Sequence, residues 1–415
     1  MRSSTMQHKF KLLAAAAAVA GAFAAPATFA QGIEFHGYVR TQVGTTSEGG
    51  NLQCFSGAWP IRAKYRLGNE CDSYGEAAVM VPFGKADGAW GKYNLMLALQ
   101  EKNSQDYESI SDENFDIASR QNYVQIGGFF PDGAFEEAKL WVGKRYYNRH
   151  DIHINDYFYW NNSGPGGGIE DIKAGPMKLS FAYHQNGGNA HPEADVVGKR
   201  YSMRFHDIAV NPGGTFEGEL VFLKGSTAGT ADTGNGYQVF LQHTQGGFLG
   251  GFNKLALVYG KKLGAGFEWL PTYAGGNEAS GDSLRLHDQI YFNFPGTGFS
   301  GMATASYGYA DFGSGKNTWA SFGIRPQYNF TDNFSLAVEL GHDQGKTDGG
   351  DKPKLTKLTV APQFSLSGGF WARPVVRAFA TYANWNAANG DAGTNGVFGS
   401  KTSGMTYGLQ VETWW

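Results

Sequence analysis

Hydrophobic and polar residues alternate with a period of two along most of the chain. In FSLAVELGHD, the apolar residues Phe334, Leu336 and Val338 are separated by small or polar ones. The segments KYNLMLALQ and KLSFAYHQ alternate in the same way, and turn signals such as GGN, DGG and NPGG lie between segments of this kind. The pattern predicts β-strands with one apolar and one polar face. Because helical periodicity is nearly absent, the predicted class is all-β.

Residues 1–30 have the features of a secretory signal peptide. A positively charged segment precedes an apolar run from Leu12 to Ala25, and a small-x-small cleavage motif ends at Ala30. We expect cleavage after Ala30, which leaves a single domain over 31–415, since no linker or shift in composition interrupts that stretch. A membrane anchor is less favoured, because the run is short for a spanning helix and ends in a proline-containing segment.

The chain beyond the signal peptide is mildly acidic and contains two cysteines. It has 31 Lys and Arg against 37 Asp and Glu, a net charge of −6, which excludes a strongly basic nucleic-acid footprint. In an exported protein, Cys54 and Cys71 predict one disulfide, with two free thiols as the alternative. A metal site at this pair is disfavoured because the segment between the cysteines contains no His.

Composition separates a membrane barrel from a soluble sandwich. After the signal peptide no apolar run reaches the length of a spanning helix, and about 385 residues in one domain is large for a sandwich. Aromatic residues, 15% of the chain, often stand near predicted strand ends, and the chain finishes with VETWW. These features are typical of an antiparallel transmembrane β-barrel with aromatic girdles. A propeller or β-helix is disfavoured, since no repeat of fixed period is found.

Strand parity then assigns sides to the candidate site residues. The apolar residues of three segments define an outer face, and parity places on the lumen face Tyr38, Arg40, Tyr74, Glu76, Glu412 and Trp414. Rings beside charges suit a sugar, because its C–H groups stack on an aromatic plane while its hydroxyls bond to Arg and carboxylate. Rings that merely fill the barrel interior are the alternative that parity leaves open.

A series of motifs, in order over essentially the whole chain after the signal peptide, resembles the maltoporin family of outer-membrane porins for maltose and maltodextrins. The motifs are EFHGYVR, KYRLGNEC, GKRYYNRHDIHINDYFYW with SGPG, VNPGGTFE, GFNK, GIRPQY, FWARPVVRAFATYANW and ETWW. The resemblance implies an eighteen-stranded antiparallel barrel with an inward-folded third loop, a homotrimer, and a place in the outer membrane of a Gram-negative bacterium. It implies maltose, maltodextrin or a related oligosaccharide as the solute, and no cofactor.

The resemblance also implies a set of site residues. An aromatic "greasy slide" would comprise Tyr38, Tyr74, Phe252, Trp371 and Trp414, with Tyr107 matching a ring that a neighbouring subunit contributes. An ionic track and constriction would comprise Arg40, Arg66, Glu76, Arg120, Arg149, Asp151, Asp156 and Phe158. Phe158 replaces the family's usual tyrosine, and Asn161 or Asn162 replaces an aspartate. We therefore expect a less polar, less anionic constriction, which leaves open another sugar such as sucrose.

Competing functions find little support in the residues. His150, Asp151 and His153 of RHDIH could face one side as metal ligands, but Arg149 beside them opposes a cation. We expect both histidines to be structural hydrogen-bonding residues of a loop. The chain has no GxSxG or HExxH motif, and GPGGGIED lacks the Lys-Ser/Thr of a phosphate loop, so an enzyme is not expected. A general diffusion porin and a purely structural barrel are the remaining competitors.

Overall fold

The computed structural model describes residues 32–84, 88–103, 105–110, 114–187, 196–227, 234–266, 281–311, 313 and 315–415 of the chain. The predicted signal peptide, 1–30, lies outside the described residues. The strands are β1 Glu34–Thr46, β2 Ser73–Gly84, β3 Trp90–Glu101, β4 Phe115–Gly127, β5 Lys139–Arg145, β6 His150–Ile152, β7 Tyr157–Trp160, β8 Gly164–Ala174, β9 Met177–Gly187, β10 Val196–Asn211, β11 Gly214–Thr227, β12 Asn235–Phe248, β13 Gly251–Lys262, β14 Asp282–Phe294, β15 Phe299–Asp311, β16 Lys316–Asn329, β17 Phe334–Lys346, β18 Lys354–Ser365, β19 Val375–Trp385 and β20 Ser403–Trp414. Two short 3-10 helices span Gly133–Phe135 and Ala387–Asn389. Across these ranges, no helix has the length and apolar character needed to cross a membrane.

Eighteen of the strands form one closed antiparallel sheet, and β6 pairs only with β7. Each barrel strand pairs with its neighbours in the chain, β5 pairs with β8, and β1 pairs with both β2 and β20. Closure leaves no sheet edge, so backbone N–H and C=O groups bond to one another rather than to lipid. The predicted fold class, an eighteen-stranded antiparallel barrel, is confirmed.

Side chains on the barrel strands alternate between the two faces of the wall. In β19, Val376 and Tyr382 are 52% and 45% exposed, whereas Arg377 and Thr381 between them are 4% and 0% exposed. The apolar residues point outward, where lipid would cover them, and the polar residues point inward. The inward residues are buried because loops fold into the barrel and pack against this part of the wall.

The two ends of the barrel differ. At one end, here the turn end, the connections include the two-residue turns 175–176, 212–213 and 249–250; the first strand begins there and the last strand ends there. At the other, the loop end, β1 connects to β2 through 47–72, and β5 connects to β8 through 146–163. We call these two connections the first loop and the constriction loop.

Both the first loop and the constriction loop fold into the barrel. Their backbones bond to each other, with Lys64 N donating to Asn155 O at 2.8 Å and Arg66 N donating to Ile154 O at 3.0 Å. The predicted disulfide between Cys54 and Cys71 is confirmed and closes the first loop at a Cα separation of 5.6 Å. The sequence predicted an inward constriction loop but gave no sign of an inward first loop.

Glycines in the wall hold the first loop in place. Tyr65 of this loop is buried at 1% exposure, and its hydroxyl lies 2.6 Å from Ser321 Oγ. Its ring lies on Gly323 of β16 and Gly341 of β17, which pair directly across the sheet. A Cβ built on Gly323 or Gly341 would lie 1.9 or 2.2 Å from a Tyr65 ring atom. Any larger residue at either position would clash with the Tyr65 ring, so both positions require glycine.

We expect Gly341→Ala to displace Tyr65 and loosen the first loop, because a rigid ring cannot move aside without its backbone. Overpacking of this kind costs about 1–3 kcal/mol. The measurement is the heating temperature at which the band of the folded barrel disappears from gel electrophoresis. Gly75→Ala in β2 is the matched control, since the nearest atoms lie 3.6 Å from its built Cβ. Equal melting temperatures of the two variants would contradict this role of Gly341.

Candidate functional site

Three rings meet on the lumen face where the first, second and last strands join. Tyr38 of β1 pairs in register with Trp414 of β20, so both side chains lie on the same face of the wall. The ring centroids of Tyr38 and Tyr74 of β2 are 6.3 Å apart. The antiparallel register therefore brings together three of the predicted slide residues that are far apart in the chain.

Three more rings continue from this group toward the turn end. Trp371 lies in the connection between β18 and β19, and its ring is 5.6 Å from that of Tyr291. The ring of Tyr291 is in turn 5.6 Å from that of Phe252, its partner in the register of β13 and β14. The ring of His153 lies 5.0 Å from Trp371 and 6.2 Å from Trp414 and so joins the two groups. We call the six aromatic residues the aromatic path: Tyr74, Tyr38, Trp414, Trp371, Tyr291 and Phe252.

The structure adds one residue to the predicted path, and Tyr107, expected to act from a neighbouring subunit, lies apart from the path of its own chain. Tyr291 was not predicted, although parity in SLRLHDQIYFNF contains the signal, since Leu284 and Leu286 define the outer face and Tyr291 falls on the other. Tyr107 is 72% exposed on the connection between β3 and β4. Within the described part of the chain, no ring contact joins Tyr107 to the aromatic path.

Ion pairs flank the first part of the path. Arg66 bonds to Glu70 at 2.6 Å and lies 3.2 Å from Glu412, and Arg373 bonds to the other oxygen of Glu412 at 2.7 Å. Arg40 lies 3.1 Å from Glu70. Buried charges of this kind persist because each has a close partner of opposite sign. Neither Glu70 nor Arg373 was among the predicted site residues.

Two further carboxylates complete this cluster at the lumen surface. Asp72 lies 3.2 Å from Arg40, and Asp156 of the constriction loop lies 3.8 Å from the same guanidinium. Tyr38 donates to Glu412 at 3.1 Å and also bonds to Arg66, which ties the cluster to the aromatic path. We call the cluster the charged track: Arg40, Arg66, Glu70, Asp72, Asp156, Arg373 and Glu412.

The carboxyl of Glu70, in the first loop, stays ionised. Its burial raises its pKa, but Arg66, Lys64 and Arg40 lower it by more, and the result is a pKa below the ordinary value. A carboxylate held between three cations supplies acceptor oxygens throughout the neutral pH range. The track therefore offers fixed donors and acceptors side by side.

A second polar network lies around Glu76. Its Oε1 accepts hydrogen bonds from the hydroxyls of Tyr74 at 2.7 Å and Tyr146 at 2.6 Å. Arg120 Nε donates to the Tyr146 hydroxyl at 2.5 Å and lies 3.9 Å from Glu76. The predicted residues Glu76 and Arg120 thus belong to one network with Tyr74, and Tyr146 links them to the constriction loop.

The constriction loop presents an arginine held between two rings. The Arg149 guanidinium lies 4.2 Å from the centroid of Tyr146 and 3.9 Å from the centroid of Phe158. Such cation–π contacts contribute about 0.5–1 kcal/mol each at accessible sites. Phe158 lacks the hydroxyl that a tyrosine would have, but one face of its ring is covered by the Arg149 guanidinium. Its structural role is to fix Arg149.

Of three other residues of the constriction loop, Asp151 is half-buried and the two asparagines are buried. Asp151 lies in β6 opposite Phe158, and burial raises its carboxyl pKa. Asn161 and Asn162 are 2% and 1% exposed; Asn161 accepts from Ser163, and Asn162 donates to Glu219. Both amides are buried and bonded to protein groups, and the expectation of a less anionic constriction stays a prediction.

The two histidines of this loop pack against rings. His150 stacks on Trp160 at 4.7 Å, and burial lowers its pKa to about 4. Burial also lowers the pKa of His153 well below its ordinary value, and its Nε2 has no hydrogen-bond partner among the residues that the structure describes. The expected hydrogen-bonding role is therefore replaced by ring packing of neutral imidazoles. Among the residues described, no group of three or more His, Cys, Asp or Glu could hold a metal ion.

The amino-acid sequence matches the family model of the LamB porins over residues 33–415. A maltoporin of Hahella chejuensis is 33% identical over 397 residues, which cover 93% of each chain. The solved outer-membrane protein OpdK of Pseudomonas aeruginosa has a TM-score of 0.51 over 93% of this chain and 100% of its own, at 11% identity. An improved crystal structure of OpdK gives 0.50 over 92% and 98%, also at 11% identity. Likeness at such low identity shows the fold alone.

The closed barrel, its outward apolar face and its inward-folded loops define an outer-membrane porin of a Gram-negative bacterium. In such barrels the short turns face the periplasm and the long loops face the exterior. The chain belongs to the LamB porin family. The predictions of family, fold class and location are confirmed.

We expect His153→Phe to reduce the loss of stability that acid causes. A buried His with a lowered pKa stays neutral in the folded protein, whereas the unfolded chain binds a proton below about pH 6.5. Stability therefore falls as the pH drops below that value, by about 1.4 kcal/mol per pH unit and histidine. The measurement is the heat-dissociation temperature at pH 7.5 and pH 5.

The control for this experiment is His342→Phe, since His342 is exposed on the outer face of β17. We expect the heat-dissociation temperature to fall less between pH 7.5 and pH 5 in His153→Phe than in the unaltered protein. In His342→Phe this fall should be unchanged. The same drop in all three proteins would show that His153 does not contribute to acid sensitivity.

Proposed function

We propose that the protein is a channel for facilitated diffusion of maltose and maltodextrins along the aromatic path. The observation that carries the proposal is that the charged track lies beside the first part of the aromatic path, at Tyr38 and Trp414. A sugar has the matching two-sided chemistry, with apolar C–H faces and polar hydroxyl edges. The proposal involves no chemical step and no energy input.

The energetics of ring stacking suit passage rather than capture. One stack contributes about 0.5–1.5 kcal/mol beyond the burial of area, so a single ring holds a sugar only loosely. Rings placed in series let a chain of glucose units exchange one weak contact for the next. Conduction requires this balance, because each site must bind well enough to admit the solute and weakly enough to release it.

The charged track supports the same mechanism on the hydroxyl side. Arg66 and Arg373 both bond to Glu412, and Arg40 lies beside Glu70 and Asp72. A sugar hydroxyl both donates and accepts, so it can bridge such a pair and pass to the next one as another hydroxyl arrives. Because the pairs are already formed, the track needs little reorganisation when a sugar binds.

The relative named maltoporin supports the choice of maltose and maltodextrins, and Arg149 of the constriction loop, held between two rings, supplies a fixed donor. We also propose that the channel is a homotrimer in which Tyr107, exposed in the single chain, reaches the entrance of a neighbouring pore. A general diffusion porin and a porin for another sugar such as sucrose are the outcomes that the experiment separates from this proposal.

The test is ion current through the purified protein in a planar bilayer, with maltose, maltotriose and longer glucans titrated in and sucrose for comparison. We expect saturable block that strengthens with glucan length, because a longer chain covers more rings. Block by sucrose but not by glucans would indicate another sugar. Conductance without any block at millimolar sugar would indicate a general diffusion porin and reject the proposal.

We expect Trp371→Ala to weaken glucan block about three- to ten-fold, the loss of one ring stack, while the ion conductance changes less than two-fold. Phe364→Ala is the matched control, because Phe364 is 63% exposed on the outer face of the adjoining β18. Both numbers come from the same bilayer recordings. Unchanged block in Trp371→Ala would remove this ring from the proposed path.

A further inference from the structure

A cavity of about 510 Å³ lies at the turn end of the barrel, where Trp371, a predicted slide residue, meets residues that were not predicted. Its side-chain lining includes Tyr291, Asn293, Asn329, Phe370 and Trp371. The volume lies within the range of about 300–1,000 Å³ that is common for small-molecule sites. Because the short turns face the periplasm, the cavity lies at the periplasmic exit of the channel.

Local strand geometry places these side chains together. Tyr291 and Asn293 stand two residues apart on β14 and therefore share its inward face. Asn329 is the last residue of β16, on the face of the inward Arg325 and Gln327. Trp371 is carried by the connection between β18 and β19 and closes the group from the side.

The chemistry of this cavity differs from that of the charged track. Within the described residues, the lining contains no Asp, Glu, Lys or Arg. Its polar side-chain groups are mainly amides, such as those of Asn293 and Asn329, and amides both donate and accept hydrogen bonds without carrying charge. The Asn329 oxygen already accepts from Gln327 Nε2 at 3.0 Å, which fixes the orientation of its side chain. The cavity therefore suits a neutral polyhydroxylated ligand.

The rings of the cavity also extend the aromatic path. The rings of Trp371 and Tyr291 are 5.6 Å apart at an interplanar angle of 58°, so they form two walls of a corner rather than a flat stack. The ring of Phe370 lies 5.9 Å from Tyr291 and completes the apolar side. A hexose in this corner would place its C–H face on a ring and its hydroxyls toward the amides.

We propose that this cavity is a separate subsite for one neutral hexose unit, built by Tyr291, Asn293 and Asn329 together with Trp371. This inference rests on the proposed sugar channel. The subsite is the last contact for a chain leaving toward the periplasm and the first contact for a chain that enters from that side. Tyr291 and the two asparagines therefore affect entry from the periplasmic side and not entry from the outside.

The test measures the rate constant of block by maltohexaose added to one side at a time of singly oriented channels. In Tyr291→Ala we expect the association rate from the turn side to fall about three- to ten-fold and the rate from the loop side to change less than two-fold. Asn293→Leu, which keeps the side-chain volume but removes the amide, should show the same asymmetry. Both effects should be equal at low and high salt, because no charge lines the cavity.

Tyr328→Ala is the matched control, since Tyr328 precedes Asn329 but points outward and is 44% exposed. Heat-modifiable mobility on gels verifies that each barrel is folded. An equal change from both sides, or no change from either side in both variants, overturns the separate subsite. Absence of block in the unaltered protein overturns the sugar channel and the subsite together, so the two failures are distinguishable.

Discussion

The antiparallel pairing of β1 with β20 is the contact on which both the barrel and the site depend. In the membrane the first and last strands must bond to each other, because an open sheet edge in lipid leaves backbone groups without partners. The register of this closure sets Tyr38 opposite Trp414 and Arg40 opposite Glu412. Two rings of the aromatic path and two residues of the charged track are thus set side by side by the same hydrogen bonds that close the wall.

The closed wall also determines where the loops can go. Wall side chains from β17 and β18 bond to the backbone of the first loop: Leu67 N donates to Glu339 at 2.9 Å, and Thr359 donates to Leu67 O at 3.1 Å. The first loop in turn carries Arg66 and Glu70 to the track and bonds to the constriction loop. The lumen is therefore shaped by a packed interior of loops, and a change in the wall can reach the track without touching it.

Strand parity predicts much of the site, because side-chain direction in a strand is a local property. It identified the lumen face of the first, second and last strands, and the same parity contains Tyr291 as a residue that could have been found. Strand parity cannot predict contacts between a loop and a distant strand. The Tyr65 ring on Gly323 and Gly341 is one example, since only the folded chain brings residues so far apart together.

Loop residues were also the ones for which the motifs were least informative. Asn161 and Asn162 stand directly beside the constriction residues in sequence, yet their amides are buried and bond to Ser163 and Glu219. By residue type alone Phe158 makes the loop less polar, but its ring contacts the Arg149 guanidinium and so holds a charge in place. In both situations neighbours in space, rather than residue type, decide the role.

The change of chemistry along the lumen follows from what each part of the channel must do. Near Tyr38 the rings lie beside fixed ion pairs, which can exchange hydrogen bonds with a moving hydroxyl, whereas near Tyr291 the polar partners are neutral amides. Hydrogen bonds to charged groups are roughly twice as strong as those between neutral groups. A solute passing from the first region to the second therefore meets weaker polar contacts while the ring contacts continue. In the proposed sugar channel, weaker contacts give a site a shorter residence time, which suits the exit of a passive channel.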